Sequence, residues 1–255
     1  MPHARALFHA AYAVFSYAVF LAVFLYTIAF VGDFGVAKTV NAPAGPGGWA
    51  AVGIDTLLIA LFALQHSVMA RPGFKRWWSA LVPASVERST YVLLSSLVLA
   101  LVLAAWQPIP AVVWDLRDTP LGPVLSGLTW VGWLVCLLST FMINHFELLG
   151  LSQAWYRLKN RPQPQGFFKE VLFYRFVRHP LMTGFLIAFW ATPLMTQGHL
   201  LFALLMTGYI GGGVWLEERD LLQVLGERYA RYRERVPMLI PFLPFLKRGP
   251  RQGGR

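Results

Sequence analysis

The amino-acid sequence predicts an all-α integral membrane protein, built as a bundle of about five to six transmembrane helices. Two observations predict this fold. Of the 255 residues, 56% are hydrophobic and only 13% are charged, with a mean hydropathy of +0.53, whereas a soluble domain carries roughly a quarter charged residues. Apolar runs of about 20 residues, the length that crosses a bilayer as a helix, also recur over nearly the whole chain.

Four apolar runs predict the first four transmembrane helices. Each is long enough, or nearly so, to cross the ~30 Å of hydrocarbon in a bilayer, and the first contains no charged residue. The predicted spans are Phe8–Val31, Trp49–Ala70, about Ser89–Trp106 and about Leu121–Leu149.

The last apolar region, Leu181–Leu216, is too long for one helix. Pro193 and the polar run Thr196–His199 interrupt it, and proline ends or kinks a helix. We therefore expect a C-terminal helical hairpin with two short arms. After the hairpin, residues at helical spacing predict an amphipathic helix on the cytoplasmic face: Glu218, Leu221 or Leu222, Leu225, Tyr229 and Tyr232.

The net charge of +10 is distributed as membrane orientation requires. Residues 1–7, 71–89, 150–180 and 217–255 carry net charges of +1, +3, +5 and +4, whereas residues 32–48 and 107–120 carry 0 and −1. Cationic loops stay in the cytoplasm, so we expect both termini to be cytoplasmic, in a bacterial inner membrane. The alternation accounts for the basic charge without nucleic acid as a partner.

Composition predicts a single membrane-embedded domain over residues 1–246 and a disordered basic tail over residues 247–255, which is rich in glycine and arginine. The chain contains one cysteine, Cys136. One cysteine excludes an internal disulfide and a zinc site made of several thiolates, and no metal requirement is predicted.

Polar side chains inside apolar spans are costly, so each is a candidate for a cavity or a partner. Asp55 and His66 lie on one face of the second span, eleven residues or about 16 Å apart, so they do not touch. Two interpretations remain open for His66. It is either solvated at the membrane surface or, with Gln65 and Ser67 beside it, part of a site.

Two further polar groups lie at span ends. On a continuous fourth helix, Asn144 and Glu147 are neighbours, whereas His145 and Glu147 point roughly 200° apart. His145 and Glu147 line one cavity only if the helix breaks there; otherwise they make structural contacts between helices. At the start of the third span, a charged helix start and a functional site both account for Glu87, Arg88 and Tyr91.

The densest polar signal flanks the predicted hairpin. Arg178-His179-Pro180 precedes its first arm, where the free N–H groups of a helix start favour an anion. Gly184 lets another backbone or a ligand approach closely. After the hairpin come Glu217, Glu218, Gly226, Tyr229, Tyr232, Val236 and Pro237. An amphipathic helix accounts for the tyrosines but not for two adjacent acids at the membrane exit.

In order and spacing, these C-terminal residues resemble the membrane-embedded methyltransferases related to isoprenylcysteine carboxyl methyltransferase. The family signature is an R-H-P-x-Y-x-G segment, a helical hairpin, a pair of acids and a G-x-x-Y-x-x-Y-x-x-x-V-P ending. The resemblance covers residues 175–241, the expected cofactor-binding part of the domain. Met182 stands where the family has a tyrosine.

The N-terminal half resembles a narrower branch, the NnrU-like proteins. Gln65-His66-Ser67 with Arg71, and Glu87-Arg88 with Tyr91, carry this resemblance. Residues Asn144 to Leu148, with Gly150, Leu151 and Gln153, are most similar to the members that methylate methanethiol to dimethyl sulfide.

The resemblance implies an S-adenosylmethionine (SAM)-dependent methyltransferase whose cofactor enters from the cytoplasm, with a small volatile thiol and membrane lipids as partners. By the family pattern, the cofactor-binding residues are Arg178, His179, Pro180, Gly184, Glu217, Glu218 and Tyr229.

Methylation of a thiol needs a base that removes its proton or a cationic group that stabilises the thiolate. The candidates for the base are His145 and His66, with Glu147 or Glu87 as an orienting or proton-accepting carboxylate. Arg88 and Tyr91 complete the expected catalytic set.

Two alternatives remain open. The SAM site could serve another acceptor, such as a lipid amine, a prenylated cysteine carboxylate or another hydrophobic thiol. The second alternative is a function other than methyl transfer, in a haem-binding or transport protein. Three histidines lie at membrane boundaries, His66, His145 and His179, and histidine ligates haem.

Overall fold

A computed structural model describes residues 2–164 and 170–241 of the chain. In these ranges the chain forms a bundle of α-helices with one short antiparallel ribbon. A 3₁₀ helix, Leu172–Arg175, precedes α8. The elements are α1 (Pro2–Gly32), α2 (Gly48–Ala70), α3 (Pro72–Trp78), α4 (Ala84–Ala105), β1 (Val112–Asp115), α5 (Leu121–Ile143), α6 (His145–Leu148), α7 (Leu151–Leu158), α8 (Pro180–Trp190), β2 (Leu194–Thr196), α9 (Gln197–Leu225) and α10 (Glu227–Arg235).

Five helices are long and apolar enough to cross a membrane, which confirms the predicted all-α integral membrane bundle. They are His3–Gly32, Gly48–Ala70, Ala84–Ala105, Leu121–Ile143 and Gln197–Leu225. The sixth apolar helix, α8, has 11 residues and measures about 16 Å at 1.5 Å per residue, which is too short to cross a bilayer alone.

The bundle has two distinct ends. At one, which we call the ribbon end, β1 pairs antiparallel with β2, and the backbone N–H of Gln197 donates to the carbonyl of Ala111 (2.8 Å). At the other, the basic end, lie the C-terminus of α2, the N-terminus of α8, and α10. The sequence does not predict the ribbon, because strands of four and three residues leave no readable alternation.

The packed core lies between these ends and is rich in aromatic side chains. Phe30 of α1 and Phe202 of α9 both meet Trp106 edge to face, with ring centroids 6.2 and 5.6 Å apart. Phe189 of α8 joins them, 5.2 Å from Phe202. Because all four rings are buried, this cluster fixes α8 and α9 against α1.

The fourth span is shorter than predicted. It ends at Ile143 rather than near Leu149, and the helix breaks at Asn144. The Asn144 side chain accepts a hydrogen bond from the backbone N–H of Glu147 (3.2 Å) and so caps the separate short helix α6. Such local capping competes with helix continuation, which is why asparagine ends helices.

The predicted hairpin forms, but the expectation of two short arms is wrong. α8 has 11 residues, whereas α9 has 29 and continues without a break to Leu225. The Thr196 hydroxyl accepts from the N–H of His199 (3.2 Å) and caps α9, so the polar run starts the second arm. As a result, Glu217 and Glu218 lie within a helix.

The predicted amphipathic stripe is divided between two helices. α9 ends at Gly226, whose positive φ of 55° favours glycine, and α10 follows as a separate amphipathic helix. α4 begins at Ala84, earlier than predicted, and Glu87 lies in its first turn. Residues 242–255, with the predicted domain end at 246 and the tail 247–255, lie outside the described residues.

Gly184 allows α8 to approach α5 closely. A Cβ atom placed there would lie 2.7 Å from the Cys136 sulfur and 2.7 Å from the Gly132 carbonyl oxygen. The backbone of α5 makes the close approach at Gly184. The sequence had allowed either a backbone or a ligand at this position.

Candidate active site

Glu218 is the centre of a buried polar cluster at the basic end. Its Oε1 atom lies 2.6 Å from Nε of Arg178, 3.2 Å from Nε2 of His179 and 3.4 Å from the Tyr229 hydroxyl. Its Oε2 atom lies 3.2 Å from Nε of Arg233. The structure therefore brings together four of the predicted cofactor-binding residues, Arg178, His179, Glu218 and Tyr229, and adds Arg233.

Arg178 also holds the segment that follows α10. Its guanidinium donates to the carbonyls of Val236 and Arg233, and its backbone N–H donates to the carbonyl of Pro237 (2.9 Å). The N–H of His179 donates to the carbonyl of Met238 (3.2 Å). In the present arrangement, Arg178 and Glu218 fasten the C-terminal segment to α8 and α9.

The two adjacent acids differ sharply in accessibility. The Glu218 side chain is 7% exposed and both of its oxygens have partners, whereas the Glu217 side chain is 51% exposed. Oε2 of Glu217 lies 3.7 Å from Nδ1 of His179. Glu217 is therefore the carboxylate of the pair that can accept a ligand without breaking the buried cluster.

The N-terminus of α8 lies beside this cluster. His179 is the N-cap residue and Pro180 is the first helical residue, where its missing N–H costs nothing. The free N–H groups of the first turn and the helix dipole favour an anion at this position. The carboxylate of Glu217 and the helix start thus offer sites for a positive and a negative group.

Tyr229 packs α10 against α9. With Tyr232 and Val236 it forms a buried apolar cluster that contacts Leu221, Leu222 and Leu225. Burial raises the pKa of the Tyr229 phenol above its ordinary range, so the hydroxyl stays protonated. The Tyr232 hydroxyl donates to the carbonyl of Tyr174 (2.6 Å). These tyrosines hold the basic end together.

His66 lies in a second cluster, deeper in the bundle. Three aromatic rings surround its imidazole, and we call this arrangement the His66 box: Tyr91 at 5.1 Å, Phe62 at 5.4 Å and Tyr209 at 6.2 Å between ring centroids. Nδ1 of His66 is buried and has no hydrogen-bond partner among the residues that the structure describes. Buried polar atoms are nearly always paired, so this unpaired nitrogen distinguishes His66 from His145.

Charged residues flank the His66 box. The Arg88 guanidinium lies 5.0 Å from the centroid of the Tyr91 ring and donates through Nε to the carbonyl of Leu148 (2.6 Å). Arg71 pairs with Asp220 of α9 (3.1 Å) nearer the basic end. Glu87 precedes Arg88 in the first turn of α4. The structure thus brings together His66, Tyr91 and Arg88 of the predicted catalytic set.

His145 is bound on both sides of its ring. The Thr140 hydroxyl donates to the carbonyl of Leu137 (2.7 Å), so it accepts from Nδ1–H of His145 (2.8 Å). Nε2 is then the acceptor for the Tyr17 hydroxyl, 3.0 Å away. Burial lowers the pKa of His145. A neutral imidazole with both nitrogens occupied ties α1 to the break after α5.

Glu147 points away from His145. Its oxygens lie 2.8 Å from Nδ2 of Asn144 and 3.3 Å from Nε2 of Gln163, in an exposed position. The helix break at Asn144 therefore does not bring His145 and Glu147 into a shared hydrogen-bonded pair.

Sequence reasoning missed four residues of these clusters. Arg233 and Asp220 carry no distinguishing signal, since charged residues are common in exposed helices. Phe62 reads as an ordinary core residue. A tyrosine at 209, in an otherwise apolar span, is the one signal that could have been found, because a buried phenol needs a partner.

The model of the NnrU protein family matches residues 56–235. The chain belongs to the NnrU family. The match begins before Phe62 and ends at Arg235, so the NnrU part of the chain includes both the His66 box and the Glu218 cluster.

Several NnrU-like relatives carry names. Methanethiol S-methyltransferase of Mycobacterium tuberculosis is 54% identical over 233 residues, covering 91% of this chain and 95% of that protein. Methanethiol S-methyltransferase 2 of Bradyrhizobium diazoefficiens is 50% identical over 232 residues, covering 91% and 89%. Nurim of Bos taurus is 31% identical over 175 residues, covering 66% of each chain. No solved structure matches the chain.

Proposed function

We propose that this protein is a SAM-dependent thiol S-methyltransferase that converts methanethiol to dimethyl sulfide. One observation carries the proposal: relatives named for this activity are 50 to 54% identical over 91% of the chain. Identity at that level extends over both candidate clusters, so the comparison is not limited to a shared fold.

SAM supplies a methyl group bonded to a positively charged sulfur. The fit of the chain to this donor rests on the basic end. The accessible carboxylate of Glu217 suits the donor's ammonium or ribose hydroxyls, and the first turn of α8, after Pro180, suits its carboxylate. Arg178, His179, Glu218 and Tyr229 keep these two groups in place through the buried cluster.

The acceptor sulfur must lose its proton as it attacks. We assign His66 as the base, because its Nδ1 is unpartnered, whereas both nitrogens of His145 are occupied. The proton of the thiol moves to Nδ1 of His66 and a new S–C bond forms. The old C–S bond breaks, and its electron pair stays on the donor sulfur, which becomes neutral. One positive charge is present before and after the step.

The surroundings of His66 favour this reaction. The methyl transfer itself joins a developing negative sulfur to a positive one, and aromatic walls keep water from solvating these charges separately. Arg88 beside Tyr91 adds a positive charge that favours a thiolate over a thiol.

An apolar groove lies between α1 and α4. It has a volume of about 380 Å³ and apolar walls made by Ala22, Val23, Tyr26, Ala100, Leu103 and Ala104. Its lining includes no residue of the His66 box or the Glu218 cluster, so the choice between methanethiol and a lipid or long-chain thiol is made in the same assay.

We further propose that the protein lies in a bacterial inner membrane with both termini and the donor site in the cytoplasm. The charge pattern supports this orientation: residues 150–180 carry +5, and residues 107–120 at the ribbon end carry −1. SAM is made in the cytoplasm, so a donor site at the basic end faces its supply.

The experiment is a headspace assay. Membranes containing the full chain are incubated with SAM and methanethiol, and volatile products are measured by gas chromatography beside longer thiols and lipid acceptors. We expect dimethyl sulfide that depends on both substrates and on the protein. If no acceptor is methylated, the methyltransferase proposal fails. If only a lipid or a long-chain thiol is methylated, the methanethiol assignment alone fails.

A further inference from the structure

The His66 box has a wall that neither the family match nor the names of relatives assign to any role. Tyr209 lies in the middle of α9 and faces α2. Its ring meets His66 nearly perpendicularly, at 6.2 Å and 89°, and meets Phe62 at 5.7 Å and 69°. Of the three rings that form the His66 box, Tyr209 is the one that belongs to α9.

The space beyond Tyr209 is open toward the basic end. Gly213 lies one helical turn after Tyr209 on the same face of α9, and a Cβ atom at Gly213 would meet nothing within 4 Å. Two turns further on the α9 helix, Asp220 pairs with Arg71 at the end of α2. We call the region between these two levels, bounded by His66, Tyr209, Gly213 and the Arg71–Asp220 pair, the slot.

Polar atoms without partners mark the same end of α2. Besides Nδ1 of His66, Oε1 of Gln65 and Nε of Arg71 are buried and have no hydrogen-bond partner within the described ranges. Buried polar atoms are nearly always paired, so three such atoms within seven residues call for a ligand or a water that completes them. This observation is independent of the aromatic contacts and points to an occupant of the slot.

We propose that the slot is the acceptor-binding pocket, that it takes a small apolar thiol, and that Tyr209 determines which thiols fit. This inference rests on the proposed function. A thiol in the slot donates its S–H to Nδ1 of His66 and places its carbon substituent against the Tyr209 ring. The ring meets both His66 and Phe62 edge to face, and these contacts hold it where a longer chain would lie.

The chemistry of the walls fits this occupant. Aromatic rings bind an apolar substituent and interact well with sulfur. A pocket closed by one ring discriminates between chain lengths by about 10- to 200-fold per methylene. Glu217 lies eight residues after Tyr209 on the same helix and is half exposed, so α9 carries residues of both the donor and the acceptor site.

The test compares acceptors in wild-type and variant membranes. The ratio of kcat/KM for 1-propanethiol to that for methanethiol is measured for the wild type, Tyr209→Phe, Tyr209→Leu and Tyr209→Ala. We expect Tyr209→Phe to keep the wild-type ratio, because the ring and not the hydroxyl forms the wall. We expect the ratio to rise at least ~10-fold in Tyr209→Leu and Tyr209→Ala.

Trp215→Ala is the matched control. Trp215 is a large aromatic residue on the same helix, but it is exposed and lies against Arg219 rather than the slot, so its removal should leave the ratio unchanged. Each variant is first checked for a single peak in detergent by size exclusion. Tyr209→Leu keeps most of the side-chain volume of the wild type, so it provides the test if Tyr209→Ala does not fold.

The outcomes separate this inference from the proposed function. If the wild type produces dimethyl sulfide but Tyr209→Leu and Tyr209→Ala keep the wild-type ratio, the acceptor pocket lies elsewhere and the inference is wrong. An equal rise in Trp215→Ala would also overturn it, because the effect would not be specific to the slot. If the wild type methylates no thiol, the proposed function fails first.

Discussion

The guanidinium of Arg178 and the carboxylate of Glu218 form an ion pair with 2.6 Å between Nε and Oε1, and their side chains are only 9% and 7% exposed. The pair joins Arg178, two residues before α8, to the part of α9 that lies at the basic end. Because Arg178 also holds the carbonyls of Arg233 and Val236, one ion pair fixes three segments. The family pattern marks both residues as cofactor ligands, but in this structure they first stabilise the basic end.

Glu218→Gln should therefore destabilise the protein, while Glu217→Gln should not. Removing one partner of a buried ion pair leaves an unpaired charge and costs about 3–5 kcal/mol. Glu217 is half exposed, so its neutral variant should keep the wild-type melting temperature in detergent and raise the KM for SAM. A stable Glu218→Gln variant with a raised KM, beside an unaffected Glu217→Gln, would show that the two roles are reversed.

His66→Ala should lose at least ~10²-fold in kcat, the usual effect of removing a general base. His145→Gln should lose less than ~10-fold, because both nitrogens of His145 already bind Tyr17 and Thr140. SAM binding, measured separately by equilibrium dialysis, should be retained in both variants. If His145→Gln shows the larger loss, His145 rather than His66 is the base, as the sequence also allowed.

Acidification should destabilise the wild type more than His145→Gln. Burial lowers the pKa of His145 below its ordinary value of 6.5, so below that pH the unfolded chain binds the proton more readily than the folded one. The stabilising contribution is therefore complete above about pH 6.5 and is lost as the pH falls. Melting temperatures at pH 7.5 and 5.5 check this; an equal decrease in both proteins would contradict it.

Gly184→Ala should lower the melting temperature, whereas Gly127→Ala should not. The added methyl group at 184 would lie 2.7 Å from the Cys136 sulfur and the Gly132 carbonyl, and overpacking costs about 1–3 kcal/mol. At Gly127, in α5, nothing lies within 4 Å of an added Cβ, and alanine favours the helix. Equal stability of both variants would mean that α5 and α8 can separate without cost.

Asp118→Cys and Lys159→Cys should report opposite sides of the membrane. Cys136, the only native cysteine, is buried, so an impermeant maleimide added to intact cells should leave the wild type unlabelled. It should label Asp118→Cys, near the ribbon end, and label Lys159→Cys only after the membrane is opened. Labelling of Lys159→Cys alone in intact cells would invert the proposed orientation.

The sequence by itself determined the all-α membrane bundle and the approximate positions of its apolar helices, whereas the lengths of the two hairpin arms came from the structure. Apolar runs must be about 20 residues long to cross a bilayer, so length and composition alone give the spans. The alternation of cationic and neutral loops predicts the orientation of these helices, because cationic loops stay in the cytoplasm. The family pattern grouped His179 and Glu218 as cofactor-binding residues, and the structure places Nε2 of His179 3.2 Å from Oε1 of Glu218.

Only the tertiary structure decided which polar side chains are accessible and which are already paired with other residues of the chain. Helical periodicity does not predict that Asn144 caps a new helix, because its side chain competes locally with helix continuation. It does not predict that α9 runs unbroken through Glu218 either, because packing depends on partners distant in the chain. His66 and His145 are equivalent candidates in the sequence. They differ in the structure because Tyr17 and Thr140 occupy one imidazole, while aromatic rings without hydrogen-bonding atoms in reach leave Nδ1 of the other unpaired.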